Sequence, residues 1–484
     1  MSGLDKMDST VENLKDEEHE KDEDMEADED EDDSSEDDEH ENDSLVQDKD
    51  EKSVPRAHLP DQPLEKGEEL VMDEQAYLVY HQANLGPPCL SLDVIPDDLG
   101  NDRTNYPLTL YGVAGSQAEK AGANSIIVFK MYNLHATKRK NSDKNDDDSD
   151  DEETESEDEE EANNPEKQPK LKVAGIKHPT GCINRIRQRQ LGSTSVVAAW
   201  SEQGSVSIWS LDKSLQRLEE PITVKTGDKG NNWPREETSP LYKFTGHTCE
   251  GYAVNWSEVT AGLLATGDCS KHIYTWKPTD DGSWNVDSRP LVGHSGSVED
   301  IQWSPNEASV MASCSVDKSI RIWDIRADPS KSCMITTEKA HESDVNVIDW
   351  NRNEPFIASG GDDGYMKVWD LRVLSRGDPV AVFKHHKGPI TSVEWHHTDA
   401  TVLASSGADD QIALWDLALE KDDEEISQDS SVAKDPGLND LPPQLLFIHQ
   451  GLQDIKELHW HKQIPGLILS TSHTGVDVFR TISV

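Results

Sequence analysis

Histidine is the side chain best suited to acid–base catalysis and is also a common metal ligand, and this sequence places its histidines in clear patterns. Adjacent histidines occur at 385–386 and 396–397, and the sequence His-Trp-His occupies 459–461. Four further positions lie 47, 47 and 45 residues apart: His247, His294, His341 and His386. Groups of this kind could bind a metal ion or transfer protons.

The motifs that usually accompany such chemistry do not occur in the sequence. It contains no His-Glu-x-x-His zinc motif, no glycine-rich phosphate loop and no Gly-x-Ser-x-Gly turn. A metal site also needs three or four converging ligands with supporting hydrogen bonds. We therefore expect no catalytic residue, no metal and no cofactor, and we predict that the protein is not an enzyme.

The histidines instead mark a repeat. A tryptophan lies nine residues after each of the four regularly spaced histidines, and a second follows 19 or 20 residues later. The two sets are Trp256, Trp303, Trp350 and Trp395, then Trp276, Trp323, Trp369 and Trp415. Short strand-like runs with turn residues at their ends lie between them, as in VMASCSVDKSIRIWD and FIASGGDDGYMKVWD. Each unit is too small to bury a core alone, so neighbouring units must stack.

These units resemble WD40 repeats, whose four-stranded sheets form the blades of an all-β propeller. In that family the histidine, the turn aspartate and the closing tryptophan are hydrogen-bonded within a blade. The resemblance assigns this structural role to His294, Asp317 and Trp323, to His341, Asp363 and Trp369, and to His386, Asp409 and Trp415. Because an unpaired buried carboxylate is costly, we expect structure rather than catalysis from these groups.

The unit that begins at His247 departs from the pattern, because Ser270 occupies the turn position six residues before Trp276. We expect that blade to be held less tightly than the others. Weaker copies end at Trp209 and Phe479, and strand-like runs at 85–134 supply a further blade. The sequence therefore predicts a seven-bladed WD40 propeller over residues 64–484.

The first strand-like run is expected to close the ring. AYLVYH at 76–81 should pair with the last blade, which would remove exposed sheet edges. The segment before it has apolar residues at helical spacing, from Leu64 through Leu70 and Val71 to Tyr77. It predicts a short N-terminal helix on the outside of the last blade.

Acidic residues are concentrated in a few segments. The chain has 96 Asp and Glu against 46 Lys and Arg, a net charge of −50. Residues 1–52 hold 26 acidic residues against 5 lysines, and residues 141–166 hold 15 against 1. Too few apolar side chains are present there to offset the entropy of ordering. We predict a disordered acidic tail over 1–63, a disordered acidic insertion over 141–170 and an acidic loop over 420–443.

We place the insertion between the first and second blades and the loop between the sixth and seventh. Long loops of this kind are either functional or disordered, and a solubilising role is the simpler alternative. Four serines in acidic surroundings are candidate phosphorylation sites for an acidophilic kinase: Ser34, Ser35, Ser149 and Ser156.

Polyanionic segments repel the phosphate backbone of nucleic acids and attract strongly basic proteins. The expected partners are histones or ribosomal proteins, with no direct nucleic-acid binding. No apolar stretch is long enough to span a membrane, so no membrane partner is expected. Six cysteines without a Cys-x-x-Cys motif are typical of an intracellular protein.

The sequence also resembles the histone-binding propellers of chromatin-assembly complexes. In those proteins an N-terminal helix and an acidic loop ending in Pro-Pro form a side groove for a helix of histone H4. Matching positions here are Glu69, Leu70 and Asp73 on the helix and Asp435, Asp440, Leu441, Pro442 and Pro443 on the loop. The resemblance implies that these residues bind a histone or another basic partner.

The acidic tail, the acidic insertion and the order of blades are similar to those of the family of glutamate-rich WD repeat-containing proteins. That resemblance implies a protein of the nucleus and nucleolus that acts on pre-ribosomal particles. It implies a chaperone for a basic ribosomal protein of the large subunit, which also binds histones.

One alternative belongs to another class of function. The sequences WDIR at 323–326 and WDLR at 369–372 resemble the Trp-Asp-x-Arg boxes by which some propellers bind the adaptor of a cullin-type ubiquitin ligase. In that case the protein would be a substrate receptor, with Asp324, Arg326, Asp370 and Arg372 docking to the adaptor. Such boxes also arise simply as the ends of blades.

Overall fold

The computed structural model describes residues 58, 71–137, 167–221, 233–420 and 441–484. The chain divides into two units, Met1–Pro63 and Leu64–Val484, and the fold below is that of the second. Several residues named above lie outside the described part of the chain: Ser34, Ser35, Glu69, Leu70, Ser149, Ser156, Asp435 and Asp440.

Short strands account for most of the described residues and form seven sheets. Successive strands of a sheet are paired antiparallel, so each sheet is a meander of four strands, and one sheet has a fifth strand. Most strands are apolar on both faces, because each sheet is covered by its two neighbours. The prediction of an all-β, seven-bladed propeller is confirmed.

The closing strand and the first two blades contain the first ten strands. The closing strand is β1 (Tyr77–Ala83). The first blade contains β2 (Cys89–Ile95), β3 (Leu108–Ser116), β4 (Ser125–Leu134) and β5 (Lys170–Lys177). The second contains β6 (Ile183–Leu191), β7 (Thr194–Ser201), β8 (Ser205–Ser210) and β10 (Tyr242–Phe244), and β9 (Arg235–Glu236) pairs parallel with β5 as the fifth strand of the first blade.

Blades three to six are regular four-stranded meanders. The third contains β11 (Ala253–Trp256), β12 (Leu264–Gly267), β13 (Ile273–Pro278) and β14 (Trp284–Val286). The fourth contains β15 (Val298–Trp303), β16 (Val310–Ser315), β17 (Ile320–Asp324) and β18 (Cys333–Thr337). The fifth contains β19 (Val345–Trp350), β20 (Phe356–Gly361), β21 (Met366–Asp370) and β22 (Ala381–Phe383), and the sixth β23 (Ile390–Trp395), β24 (Val402–Gly407), β25 (Ile412–Asp416) and β26 (Leu445–His449).

The seventh blade joins the two ends of the propeller. Its first three strands are β27 (Leu458–Trp460), β28 (Leu467–Ser472) and β29 (Gly475–Thr481), and β1 is its fourth. The pairing of β1 with β29 runs from Tyr77 opposite Thr481 to Ala83 opposite Val476. The predicted closure of the ring by residues 76–81 is confirmed.

The core lies between blades rather than within them. Trp323 of the fourth blade shares a buried cluster with Ala265 and Ile273 of the third. Trp369 packs in the same way against the fourth blade and Trp415 against the fifth. Phe479 replaces the closing tryptophan in the seventh blade and packs against the sixth. Each closing aromatic therefore stabilises the contact to the preceding blade, which explains why a single repeat is not a stable unit.

The two acidic segments lie within blades, which corrects the sequence-based placement. The insertion connects β4 to β5 inside the first blade, and the loop connects β25 to β26 inside the sixth. The insertion is also shorter than the predicted 141–170, because Lys170 begins β5 and pairs with Tyr132. Both fourth strands were assigned to the wrong side of these segments, since a long gap in sequence separates them from their partners.

Helices are few among the described residues. One α-helix, α1 (Asp212–Glu219), follows β8 and packs against the first blade, where Lys172 Nζ donates to the carbonyl oxygens of Leu218 and Glu220 at its C-terminal end. The sequence reading did not predict it. Of the expected N-terminal helix, the described residues contain a single 3-10 turn at Glu74–Ala76, after which Tyr77 begins β1. All six cysteines are free thiols, and no described helix has both the length and the apolar character to cross a membrane.

Candidate partner-binding surfaces

The recurring histidines form closed hydrogen-bonded chains within their blades. In the fourth blade, His294 Nδ1 lies 3.0 Å from the Asp317 carboxylate and His294 Nε2 lies 2.7 Å from Ser313 Oγ. Trp323 Nε1 donates to the same Ser313 hydroxyl at 2.7 Å. Both ring nitrogens and the indole N–H are thereby occupied. The structure thus brings together His294, Asp317 and Trp323, through a serine that the sequence reading overlooked.

The same arrangement recurs in two further blades. In the fifth, His341 Nδ1 is 3.0 Å from Asp363, and His341 and Trp369 share Ser359 Oγ. In the sixth, His386 Nδ1 is 3.0 Å from Asp409, and His386 and Trp415 share Ser405 Oγ. Burial alone would raise the pKa of Asp317, but the bonds from His294 hold it well below its usual value. These carboxylates are fully committed to holding the turn against the neighbouring strands.

The third blade has its own version of this chain, and the expectation that it is held less tightly does not match its geometry. His247 Nδ1 lies 2.8 Å from Asp268, which stands two residues before the Ser270 position used in the sequence reading. Thr266 takes the place of the serine, 2.8 Å from His247 Nε2 and 3.0 Å from Trp276 Nε1. Asp268 is fully buried and also accepts from the backbone N–H groups of Ser270 and His272. The number of bonds is therefore no smaller than in the other blades.

The first tryptophan of a repeat bonds to the preceding blade. Trp256 Nε1 donates to the carbonyl oxygen of Arg187 at 2.9 Å, and Trp303 Nε1 donates to that of Asn255 at 3.0 Å. Trp460 Nε1 donates to the carbonyl oxygen of Glu394 at 3.1 Å. The second fixed position of the repeat is therefore a bond between blades, a role that the sequence reading did not assign.

A small polar cavity of about 120 Å³ lies where the first strands of all seven blades meet. Side chains from each of the seven line it: Asp93, Arg187, Asn255, Gln302, Asp349, Glu394 and His459. Pockets for cofactors are usually about 300–1,000 Å³ and mostly apolar, so this cavity suits ordered water instead. Among the described residues no group of three or more His, Cys, Asp or Glu is arranged to hold a metal ion.

The histidines of the two short motifs are used inside this cavity. His459 Nδ1 lies 2.7 Å from Glu394, and His397 Nε2 lies 3.0 Å from the carbonyl oxygen of Trp460. Burial disfavours the charged form of His459, but Glu394 and Glu457 raise its pKa to about 10. Burial and the charge of Glu394 raise the pKa of Asp349 to about 8, so this carboxyl is protonated at neutral pH.

A side surface lies where the chain enters the seventh blade and is formed by Val71–Tyr77 and Leu441–His449. Tyr77 links its two parts, because its hydroxyl lies 2.7 Å from His449 Nδ1 and its ring lies 5.4 Å from that of Phe447. Val71 and Met72 are 86% and 42% exposed, and Leu445–Ile448 are half-buried. Aliphatic and aromatic groups thus face solvent beside the open edge of β26. None of Val71, Met72, Tyr77 and Phe447 was a predicted site residue, although apolar residues just before and after an acidic segment were a usable signal.

Four of the predicted binding residues belong to this side surface. Asp73 caps the 3-10 turn by accepting from the Gln75 N–H at 2.9 Å, so its carboxylate has a local structural use. Pro442 accepts at its carbonyl from Leu445 N at 3.0 Å and thereby turns the chain into β26. Pro443 is exposed, and Leu441 and Pro442 are partly exposed.

The two Trp-Asp-x-Arg boxes place their arginines at the surface. Arg326 forms a two-pronged ion pair with Asp324, and Arg372 does the same with Asp370. Their side chains are 74% and 68% exposed. Each arginine is therefore accessible to a partner but held close to its own blade.

Known proteins match this chain in two ways. The family model for the histone-binding protein RBBP4 and its counterpart in the CAF1 complex matches residues 67–135, which include β1 and the first three strands of the first blade. The model for the WD domain, G-beta repeat, matches residues 286–324, 332–370 and 377–416.

Three similar proteins are matched over most of their length. "Protein HEAT STRESS TOLERANT DWD 1" of Arabidopsis thaliana is 45% identical over 87% of this chain and 90% of its own. "Ribosome assembly protein rrb1" of Schizosaccharomyces pombe is 40% identical over 88% of this chain and 84% of its own. "Glutamate-rich WD repeat-containing protein 1" of Dictyostelium discoideum is 42% identical over 90% of this chain and 86% of its own.

Proposed function

The chain belongs to the family of glutamate-rich WD repeat-containing proteins, and from that premise we propose that it is a binding protein that chaperones basic proteins during assembly of the large ribosomal subunit. The observation that carries this proposal is the full-length similarity to a ribosome assembly protein. The match of residues 67–135 to a histone-binding family supports histones as a second class of cargo.

The physical basis of the proposal is the division of labour within the chain. The polar groups of the repeats are used inside and between blades, as in the chain from Asp317 to Trp323. The sequence segments 1–52, 141–166 and 420–443 carry most of the negative charge. Negative charge of this density attracts cationic proteins over long distances and keeps them from binding nucleic acid nonspecifically. The protein itself needs no contact with nucleic acid or a membrane in this scheme.

The proposed binding residues are those of the side surface and its acidic flanks. They are Glu69, Leu70, Asp73, Asp435, Asp440, Leu441, Pro442 and Pro443, with Val71 and Met72 as apolar contacts. A basic helix with one apolar face would match exposed aliphatic groups flanked by carboxylates. The proposed site of action is the nucleus and nucleolus, on pre-ribosomal particles, and phosphorylation of Ser34, Ser35, Ser149 or Ser156 would strengthen the negative field.

A pull-down with the full-length chain tests the proposal. At low salt the protein is expected to retain histones H3–H4 and a basic protein of the large ribosomal subunit, and rising salt should release both because exposed charges are screened over about 8 Å at physiological ionic strength. The matched control is a variant in which the Asp and Glu residues of 141–166 and 420–440 are replaced by Asn and Gln. Retention of neither cargo by the natural chain at low salt would overturn the proposal.

The second candidate function is that of substrate receptor for a cullin-type ubiquitin ligase. The observation that favours it is the exposure of Arg326 and Arg372 at equivalent positions of adjacent blades. This function is compatible with the first, because the boxes lie on the fourth and fifth blades and the side surface lies on the sixth and seventh.

A further inference from the structure

The two acidic segments inside blades leave the propeller at the same face. The insertion connects the third strand of the first blade, β4, to the fourth, β5, and the loop connects β25 to β26 in the equivalent position of the sixth blade. In a four-stranded meander the first-to-second and third-to-fourth connections lie at one end of the sheet. Because the seven blades share one orientation around the ring, both segments are attached at one face.

The chain before β1 joins the propeller at that face too. β1 is the fourth strand of the seventh blade, and its first residue, Tyr77, lies opposite Thr481 at the end of the third strand. Val71–Asp73 therefore lie at the same end of the blade as the third-to-fourth connections. They are the attachment point of everything N-terminal to them.

The attachments also converge on one strand. On one side of β1, Thr137 N donates to the carbonyl oxygen of Leu78 at 3.0 Å, and His81 Nε2 lies 3.1 Å from that of His135. On the other side, β26 contacts Tyr77 through Phe447 and His449. His135–Thr137 are the last described residues before the insertion, and β26 follows the acidic loop. All three acidic stretches are therefore attached around β1, on blades six, seven and one.

Charge at this face differs between sectors. Residues 138–166 hold 15 acidic against 4 basic residues, and residues 421–440 hold 7 against 2. The corresponding connection of the fourth blade, 325–332, has one Asp against one Arg and one Lys, and that of the fifth, 371–380, has one Asp against two Arg. Even 222–232, which follows the third strand of the second blade, has one Asp against two Lys. The strong negative charge is thus confined to the attachments around β1.

We infer that the residues around β1 form one docking sector for a single continuous lysine- and arginine-rich segment of a partner, and that the insertion of the first blade acts on this sector. The sector consists of Val71 and Met72, His135–Thr137 and Leu441–Phe447. Its exposed aliphatic groups give short-range contact, and the attached charges give attraction at close quarters. Charges farther away contribute little, because screening limits their reach to about 8 Å at physiological ionic strength. This inference rests on the proposed function and adds to it the place and the multivalent character of cargo binding.

Moving the insertion tests this inference at constant composition. In the full-length chain, residues 138–166 are transferred from the first blade to the connection of the fourth blade, between Ala327 and Asp328, and a Gly-Ser link joins Thr137 to Lys167. Net charge and exit face are unchanged, and only the sector differs. Affinity for poly-L-lysine at physiological salt is expected to fall by at least about tenfold, because simultaneous engagement is lost. Unchanged affinity of a folded variant would overturn the inference.

A photocrosslink in the otherwise natural chain decides the matter even where the transferred variant fails to fold. A photoreactive residue replaces Ala136, beside β1, or Ser330, which is equally exposed on the connection of the fourth blade. Poly-L-lysine and a basic large-subunit ribosomal protein are expected to crosslink from position 136 and not from position 330. Equal crosslinking from both positions would overturn the inference and leave the proposed function standing. Crosslinking of poly-L-lysine at position 136, with no retention of ribosomal protein or histone, would do the reverse.

Discussion

Glu457 lies on the seventh blade with its carboxylate 2.7 Å from a guanidinium nitrogen of Arg187 on the second blade. The same oxygen accepts from Arg185, and the other accepts from Ser91 Oγ at 2.5 Å and Leu92 N at 2.8 Å on the first blade. One carboxylate, 1% exposed, therefore joins three blades at the point where the ring closes. It is the inner counterpart of the pairing of β1 with β29 at the outer edge.

Substitution Glu457→Gln is expected to lower the free energy of unfolding by roughly 3–5 kcal/mol, because two buried guanidinium groups lose their counter-ion. Urea denaturation followed by tryptophan fluorescence measures the change. Glu219→Gln is the matched control, since Glu219 pairs with Lys130 but its side chain is 56% exposed, and surface pairs contribute little. A loss no greater for Glu457→Gln than for Glu219→Gln would contradict the role of Glu457 in closing the ring.

The sign of the pH effect follows from the charges around Glu457. Burial alone would raise its pKa, but Arg187 and Arg185 hold it well below the usual value. The stabilisation is therefore present above the pKa of the unfolded chain, about 4.3, and is lost as the pH falls through the lower folded value. The stability difference between the natural chain and Glu457→Gln should accordingly shrink in acid and not at pH 8.

In the third blade, Asp268→Ala is expected to destabilise the protein by roughly 1–3 kcal/mol, because His247 and the backbone donors of Ser270 and His272 lose a buried acceptor. Ser270→Ala should have a much smaller effect, since its hydroxyl accepts only a weak bond from Cys249. Thermal unfolding of the two variants beside Asp317→Ala compares the blades directly. A larger effect of Ser270→Ala than of Asp268→Ala would restore the sequence-based alignment of this blade.

The case of Asp268 shows why the sequence predicted the fold better than its details. Repeat spacing depends on the packing of one blade on the next, so the paired tryptophans and the count of seven blades could be read from the sequence. The exact turn residue depends on which carboxylate can reach a buried histidine, and a carboxylate two positions earlier reaches His247 equally well. Ser313, Ser359 and Ser405 escaped notice because a buried serine in a strand has no distinctive spacing of its own.

The placement of the acidic segments could not be predicted for a different reason. Strands β5 and β26 pair with β4 and β25 across long stretches of polar sequence, and strand pairing over such distances leaves no local pattern. The same holds for Tyr77 and His449, which are 372 residues apart in the sequence and 2.7 Å apart in the structure. Of the side surface, only Asp73, Leu441, Pro442 and Pro443 were both predicted and described.

Asp349→Asn is expected to stabilise the protein increasingly as the pH rises. Burial and Glu394 raise the pKa of Asp349 to about 8, so the folded state prefers the protonated acid. In the unfolded chain the group ionises near pH 3.9, so the natural chain loses stability between about pH 4 and pH 8. The uncharged amide escapes this loss. Melting temperatures at pH 5, 7 and 9 measure it, and a variant advantage that failed to grow with pH would show that Asp349 ionises normally.

The ligase hypothesis predicts that the double substitution Arg326→Ala and Arg372→Ala abolishes binding to a purified cullin adaptor and leaves retention of basic cargo unchanged. The two arginines are exposed and make ion pairs only with Asp324 and Asp370 among the described residues, so the fold should survive. Arg376→Ala on the same connection as Arg372 is the matched control, since it is also exposed. Adaptor binding that is absent in the natural chain, or equal in all variants, would remove this function.

Tyr77→Phe tests whether the side surface depends on the contact between β1 and β26. The substitution removes only the hydroxyl that bonds to His449 Nδ1, and His449 is 1% exposed with no described partner at Nε2. A buried ring nitrogen left without its bond should cost about 1–3 kcal/mol of unfolding free energy. Tyr80→Phe is the control, because that ring is only half-buried. Since the proposed docking sector spans β1 and β26, cargo affinity should fall with Tyr77→Phe as well, and a variant that loses stability but keeps full affinity would separate the contact from the binding of cargo.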